Sequence, residues 1–403
     1  MSPRVKLPFG SHSAKKSYGK ILTFYDRGGE QKVRIYNKPS GLGSEAQLAQ
    51  RQIIKDKVAA WQALSPEEKA TWNGQAKTLG DPWSGYTLFM SIYEPAPPTD
   101  YGLNWTDLGT QFYQQMIYSL AYLENGIALA GTYFNGLILR STDYGTTWSD
   151  LGPQFGQQRI HALAYLENGI ALAGTWPDGK ILRSIDYGVN WTDLGTPVRR
   201  TQIYSLAYLE NGISLAGTDY TAHIVRSIDY GANWTDLGKK FSQDIIYSFS
   251  YLGNGIVLAG TASDGLILRS ADYGATWTSL GTQFGQVTIY SLCYLGDGIV
   301  LAGTAPNGLI LRSIDYGATW DSLGSQGGQA IIGSLAYLGI GIAIAGTGAN
   351  AKILRSIDYG LTWSDLGQQF GETYILSLAY LENGIALAGT GAHGKILRSV
   401  PSS

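Results

Sequence analysis

Seven tryptophans divide most of this chain into equal intervals of 43 residues. Repetition with a period of about 20 to 50 residues is typical of solenoids, propellers and arrays, in which each unit packs against its neighbours. The repeat therefore constrains the fold more strongly than the length of 403 residues, which alone would suggest two or three ordinary domains. The repeated tryptophans are Trp105, Trp148, Trp191, Trp234, Trp277, Trp320 and Trp363.

One repeat, residues 203–238, contains four short β-rich runs separated by turns of glycine, asparagine and aspartate. The runs are IYSLAYL, ISLAGT, HIVRS and WTDLG, and no helical pattern lies between them. A four-stranded antiparallel unit repeated seven times is typical of a β-propeller, because radial packing of the blades protects the sheet edges. We therefore predict a mainly β protein, with a seven-bladed β-propeller over residues 100–403.

The turn before each tryptophan has a recurring sequence, such as STDYGTTW at 141–148 and SIDYGLTW at 356–363. These stretches resemble the Asp-box, S-x-D-x-G-x-T-W, of sialidase-type (BNR) and related seven-bladed propellers. The aspartate can accept hydrogen bonds from backbone amides of the turn, and the tryptophan can pack between blades. Such a box is a folding element and does not by itself imply sialidase chemistry. The aspartates of the seven copies are Asp100, Asp143, Asp186, Asp229, Asp272, Asp315 and Asp358.

The two ends of the repeat region are complementary. The last copy stops after KILRS at Ser399, one strand short, whereas the first copy begins at Asp100 with Pro98 in the place of the serine. We therefore predict that the strand around Trp105 completes the blade built from residues 375–399. Ser399 and Asp100 would then share one box across the closure of the ring.

Two loops differ in every copy, whereas the remaining turns hardly change. One loop joins the last strand of a blade to the first strand of the next, and the other joins the second strand to the third. In a four-stranded up-and-down blade both loops emerge on the same side, which we call the variable face. Variation confined to one face indicates a binding surface, and unconstrained drift of the loops is the alternative explanation.

The variable face contains aromatic side chains next to aspartate, asparagine and histidine. This combination suits sugar recognition, in which stacking on a ring accompanies hydrogen bonds to hydroxyl groups. We expect Trp176 to matter most, as an exposed indole in a loop whose counterparts are mostly alanine or glycine. The candidate ligand-binding residues are Tyr133, Phe134, Trp176, Asp178, Tyr220, His223, Asn307 and His393.

Catalysis is not indicated. A sialidase needs an asymmetric arginine triad and a tyrosine–glutamate pair, but the blade arginines recur symmetrically from Arg140 to Arg398, and Glu372 is the only glutamate in the variable loops. The histidines are scattered among blades without ligand spacing, so we predict no catalytic residues, no metal site and no cofactor. We expect several arginines to pair across a hairpin with Asp150, Asp193, Asp236 or Asp365.

The first 98 residues differ in charge from the rest of the chain. They carry 14 Lys+Arg against 8 Asp+Glu, whereas the remainder carries 15 against 23. We predict a small α+β domain, with a basic arm and β-hairpin at 1–43 and a helical module at 44–94, followed by a Pro-rich linker at 95–99. The segment resembles small N-terminal modules of phage-type structural proteins. Pieces of it resemble the HMG-box in reversed order, so direct nucleic-acid binding is not expected.

These features favour a non-enzymatic structural and binding protein. We predict that the N-terminal module contacts other protein subunits in a virion or filament, and that the propeller is displayed for binding cell-surface glycans. No membrane span and no secretory signal is found, so synthesis in the cytoplasm and location on an extracellular particle are expected. A free propeller lectin and a protein-binding assembly factor remain open as alternatives, with a glycosidase as the last.

Overall fold

The computed structural model describes residues 23–27, 30–34, 61–62, 65–66, 69–70, 73, 100–199 and 201–401. The chain divides into two units, Met1–Ala96 and Pro97–Ser403. In the first unit, strand β1 (Thr23–Arg27) pairs antiparallel with β2 (Glu30–Arg34), and residues 61–62, 66, 69–70 and 73 are helical. The predicted basic arm, most of the helical module and the linker lie outside the described residues.

Seven four-stranded antiparallel sheets make up the second unit, as the repeat predicts. In blades one to six the strands follow one another in chain order, and the first strand of each blade lies against the first strands of both neighbouring blades. The first strands therefore form the innermost ring of the propeller.

The first three blades contain β4 (Ile117–Glu124), β5 (Ile127–Thr132), β6 (Leu137–Ser141), β7 (Ser149–Pro153), β8 (Arg159–Glu167), β9 (Ile170–Trp176), β10 (Ile181–Ser184), β11 (Thr192–Asp193), β12 (Ile203–Glu210), β13 (Ile213–Thr218), β14 (His223–Ser227) and β15 (Thr235–Lys239). The next three contain β16 (Ile246–Gly253), β17 (Ile256–Thr261), β18 (Leu266–Ser270), β19 (Thr278–Thr282), β20 (Thr288–Gly296), β21 (Ile299–Ala305), β22 (Leu309–Ser313), β23 (Asp321–Ser325), β24 (Ile332–Gly339), β25 (Ile342–Thr347), β26 (Lys352–Ser356) and β27 (Ser364–Gln368).

The seventh blade closes the ring by combining both ends of the repeat region. Its strands are β28 (Tyr374–Glu382), β29 (Ile385–Gly391), β30 (Lys395–Ser399) and β3 (Trp105–Thr110). Strand β3 pairs antiparallel with β30, and Trp105 lies opposite Ser399. The predicted closure by the strand around Trp105 is confirmed.

The cores of the blades are continuous across each blade boundary. One cluster joins Leu139 of the first blade to Leu387 and Ile396 of the seventh, with Trp148 packed against it. The glycine of the AGT sequence permits this close approach, since a Cβ atom on Gly131 would lie 2.7 Å from the Ile160 carbonyl oxygen of the next blade. Blade-to-blade packing therefore holds the ring together and places the repeated tryptophans at the boundaries.

Six serine–aspartate turns share one hydrogen-bond pattern. The serine hydroxyl donates to the aspartate carboxylate at 2.7–2.8 Å. Partial burial would raise the pKa of Asp358, but hydrogen bonds from the Thr362 hydroxyl and amide and from Ser356 outweigh it, so the pKa lies below its ordinary value. The pKa values of the aspartates in the other five turns are lowered in the same way.

The seventh turn, at the closure, departs from this pattern. The Ser399 hydroxyl is buried without a hydrogen-bond partner among the described residues. The closure therefore lacks the serine–aspartate hydrogen bond of the other six turns, although Trp105 donates to the Gly102 carbonyl oxygen at 3.0 Å as Trp148 does to that of Gly145. In the other six turns serine and aspartate are two positions apart in one chain segment, so the backbone fixes the distance between them. At the closure these two residues belong to separate segments.

The blade arginines link neighbouring blades. Each donates from Nε to a tyrosine carbonyl oxygen of the next blade, at 2.6–3.3 Å, from Arg140 to Arg398. The predicted pairing of these arginines with Asp150, Asp193, Asp236 or Asp365 is wrong. The register explains why: Arg226 lies opposite Thr235, so Asp236 is on the other face of the sheet. Three of those aspartates pair instead with a residue at the start of the third strand or directly before it, in Lys180–Asp193, His223–Asp236 and Lys352–Asp365.

Candidate functional site at the mouth of the central channel

The innermost strands bring one variable position of each repeat into a ring around the central channel. Five of the seven residues are aromatic, and we call them the aromatic arc. Neighbouring rings of the arc lie with their centroids 4.5–5.4 Å apart. The arc consists of Tyr118, His161, Tyr204, Tyr247 and Tyr290, and Gly333 and Leu376 occupy the two remaining positions.

A cavity of about 370 Å³ lies beside the arc. Gly333 and Gly348 line its opposite side, together with Ile331, Leu376 and Tyr374. Because both glycines belong to the sixth blade, the sevenfold repeat is broken here and the cavity has distinct walls. This volume falls within the range of small-molecule sites.

The aromatic arc continues onto the variable face through Tyr133. The Tyr133 ring lies 5.9 Å from Tyr118 and 4.7 Å from Phe134, in edge-on geometry in both cases. The Arg159 guanidinium is placed between two rings, 4.4 Å from the Tyr133 centroid and 4.2 Å from the Trp176 centroid. These distances are typical of cation–π contacts, which hold both aromatic residues and the arginine in place.

The exposure of Trp176 differs from the prediction. The residue was expected to be an exposed indole, but it is half-buried, because Arg159 covers one of its faces. Arginine at this register position occurs only in the second repeat, next to the tryptophan-containing loop. Arg159 and Trp176, which both differ from their counterparts in the other repeats, are thus in direct contact.

His161 is the most deeply buried member of the arc, with 8% of its surface exposed. Burial, followed by the nearby Arg159 charge, lowers the pKa of His161 to about 3. The imidazole is therefore neutral at pH 7; it stacks on the Tyr204 ring and contacts the Tyr118 ring at a tilt of 43°. Its Nε2 atom is buried without a hydrogen-bond partner among the residues that the structure describes.

Asp219 contributes a carboxyl group to the same loop position that Tyr133 and Trp176 occupy in the first two blades. Only 2% of its surface is exposed, and burial raises its pKa to about 6 despite a hydrogen bond from the Gln202 amide at 2.6 Å. Each of the first three blades thus places a different chemical group at this position, whereas the other four place alanine or glycine there.

The remaining predicted site residues lie apart from the arc and mostly bond within their own loops. Asp178 accepts from the Gln157 side chain at 2.9 Å, and His223 pairs with Asp236. The backbone amide of Asn307 donates to the Gln286 side chain. Tyr220 is 70% exposed. The structure therefore brings together Tyr133, Phe134 and Trp176, and Asp178 lies in the same loop as Trp176. The other candidates lie on three further blades: Tyr220, His223, Asn307 and His393.

A buried carboxylate stabilises the loops of the seventh blade. Glu372 is fully buried and contacts the His393 ring at 2.9 Å, with Lys395 at 3.8 Å. At least three other blades have glutamine at this position, where its side chain accepts a hydrogen bond from a threonine of the neighbouring strand, as Gln157 does from Thr175. Glu372 and His393 are therefore best explained as a structural pair that replaces this glutamine contact.

Sequence reasoning missed the aromatic arc, Arg159 and Asp219. A signal was present: within the IYSLAYL run, which otherwise changes little, the second position changes from tyrosine to histidine, glycine and leucine. It also missed five phenylalanines in the loops between blades, each 39–48% exposed with a left-handed backbone. These are Phe112, Phe155, Phe241, Phe284 and Phe370.

Within the described residues, no three His, Cys, Asp or Glu side chains come close enough together to hold a metal ion. No helix in this part of the chain is long and apolar enough to cross a membrane.

Comparison with solved structures supports the propeller fold. A structure of YCF48 bound to D1 peptide aligns with a TM-score of 0.62 and 17% identity, over 76% of this chain and 100% of that one. Streptogramin B lyase aligns with a TM-score of 0.62 and 12% identity, over 73% and 96%. The GH74 xyloglucanase from Xanthomonas campestris gives 0.59 and 15%, over 72% and 53%. No family model and no curated protein matches the chain.

The fold and the comparisons define the class of this chain as a seven-bladed β-propeller of four-stranded antiparallel blades. The similar structures include a peptide-bound protein, a lyase and a glycosidase, and their identities are below 25%, so the similarity extends to the fold alone.

Proposed function

We propose that this chain is a non-enzymatic binding protein whose propeller binds glycans at the variable face. The main support is the line of aromatic rings from Phe134 through Tyr133 along the aromatic arc, beside a cavity bordered by hydrogen-bonding groups. Aromatic faces stack on the apolar faces of sugar rings, and tyrosine hydroxyls can bond to sugar hydroxyls. The serine–aspartate turns, which we assign to the Asp-box class, then serve as structural elements of the opposite face.

Binding at each site is expected to be weak, so several engaged propellers would raise the avidity through effective concentration. Display of many copies on a virion or filament would allow several propellers to bind at once. We propose that residues 1–96 attach the protein to other subunits of such an assembly, which agrees with the division of the chain after Ala96.

A glycan array tests the binding proposal. The wild type should bind a subset of immobilised glycans, and Trp176→Ala should lose that binding, because it removes a stacking surface and the support of Arg159. Its melting temperature should change by no more than about 4 °C, since the residue is outside the blade cores. Tyr113→Ala is the matched control, because Tyr113 is 98% exposed and is not part of the arc. An array without any bound glycan would contradict the proposal.

The attachment proposal predicts different sizes for two proteins. The full chain should elute as an oligomer in size-exclusion chromatography with light scattering, and a chain that begins at Asp100 should elute as a folded monomer. Oligomers of equal size for both would mean that the propeller itself carries the subunit contact.

A second candidate function is protein binding. The five exposed phenylalanines form an apolar set on the loops between blades, and the similar YCF48 structure is described as bound to a peptide. A propeller that binds no glycan but still binds the subunits of the assembly would favour this function.

A further inference from the structure

Two buried nitrogen atoms near the channel mouth lack hydrogen-bond partners within the described part of the chain. They are Nε of Arg159 and Nε2 of His161. The two side chains are linked through two rings of the site: the Tyr118 ring lies 4.6 Å from His161 and 5.9 Å from Tyr133, and Tyr133 contacts the Arg159 guanidinium. An unpaired buried polar group costs free energy, and a bound acceptor would recover it.

The charge of Arg159 points to the kind of acceptor. Within the described residues no carboxylate forms an ion pair with this guanidinium, and the Tyr133 hydroxyl is its one hydrogen-bond acceptor, at 3.2 Å. The guanidinium carbon lies over the Tyr133 ring and over the Trp176 ring. Its edge, which bears the N–H groups, is the part that binds carboxylates with two parallel hydrogen bonds.

His161 adds a neutral donor beside this cation. Its pKa of about 3 keeps it uncharged, and a neutral imidazole with its proton on Nε2 donates one hydrogen bond. His161 also lines the cavity, together with the four tyrosines of the arc, Tyr374 and Gly333. A ligand in this position would meet an aromatic wall and a neutral donor, and the charge of Arg159 acts on that donor from outside the cavity lining.

We propose that the channel-mouth cavity binds an acidic sugar, with its carboxylate at Arg159 and His161 and its ring against the aromatic arc. The proposal rests on the glycan-binding function and adds the ligand class to it.

A matched pair of ligands tests the acid preference. Isothermal titration calorimetry with the full chain would compare methyl glucuronide with methyl glucoside, which differ at the carboxylate, and would include the methyl glycoside of N-acetylneuraminic acid as a second acid. At least one acid should bind about tenfold or more tightly than the glucoside, since a hydrogen bond to a charged group is stronger than a neutral one. Equal binding of the glucoside and both acids would overturn the proposal.

Three variants assign the site. Gly333→Tyr restores the residue found at the same register position in Tyr290, and its Cβ has room, with the nearest atom 3.7 Å away. It should fill the cavity and abolish binding of the acid with an unchanged melting temperature. Arg159→Gln should bring the affinity for the acid to within about threefold of that for the glucoside, whereas Lys239→Gln removes an exposed charge outside the cavity and should change neither affinity.

The outcomes separate this inference from the proposed function. Glycan-array binding that survives in Gly333→Tyr would leave the glycan function standing and refute the cavity as its site. A wild type that binds none of the three methyl glycosides and no glycan on the array would refute both proposals.

Discussion

A chain that begins at Gln111, and so lacks β3, is expected to lose roughly 4–6 kcal/mol of stability and to melt about 10 °C or more below the full chain. The reason is the packing of two side chains of this strand: Trp105 lies against the core between blades six and seven, and Leu108 against the core between blades seven and one. Removal of β3 would also expose the edge of β30, which then becomes a site for pairing with other chains.

Differential scanning calorimetry measures this effect. The control is a chain that begins at Asp100, which removes the N-terminal unit but keeps β3, and which should melt within a few degrees of the full chain. Trp105→Ala in the full chain should lose about 3–5 kcal/mol of stability. Its melting temperature should lie between those of the chains that begin at Asp100 and at Gln111. If the chains beginning at Asp100 and Gln111 melt at the same temperature, the closing strand does not stabilise the ring.

The second large effect is a loss of stability in mild acid caused by His161. Its pKa is lowered to about 3 in the folded protein, by burial and then by Arg159, while an unfolded histidine titrates near 6.5. Because the unfolded state binds the proton first, stability is complete above about pH 6.5 and falls as the pH decreases towards the folded value. Between pH 7.5 and 4.5 the loss from this one group should be about 2.5 kcal/mol.

Urea unfolding of the wild type and His161→Tyr at both pH values measures this loss. Tyrosine occupies the same position in the first, third, fourth and fifth blades, so the variant should fold and should lack the histidine contribution. The lowered pKa values of the turn aspartates act in the same direction, but only below about pH 4, outside this range. A stability difference between the two proteins that does not change with pH would mean that His161 has the same pKa in the folded and unfolded states.

Much of the propeller could be predicted from the chain alone, because its information is local and repeated. Each 43-residue copy contains its own strands and turns, and seven copies determine the number of blades. The missing strand at Ser399 and the extra strand at Trp105 even predicted how the ring closes. The serine–aspartate turns were predictable for the same reason, since serine, aspartate and glycine lie within a few bonded residues of one another.

The candidate site was only partly predictable, because it depends on residues that are far apart in sequence. Tyr118 and Tyr290 enter one arc only when the blades close into a ring, and no local pattern shows that the second position of IYSLAYL faces the channel. Likewise, the partner of each blade arginine was misjudged because strand register and the neighbouring blade, rather than the hairpin, determine which acceptor is within reach.

The sequence by itself thus determined the blade count, the strand order, the closing strand and the face on which variation is concentrated, since these follow from periodicity and from turns formed by neighbouring residues. Tertiary structure alone decided that Arg159 is held between Tyr133 and Trp176, that His161 is buried neutral, and that Gly333 opens a cavity beside the arc. These properties depend on burial and on distances between blades, which exist only after the ring has closed.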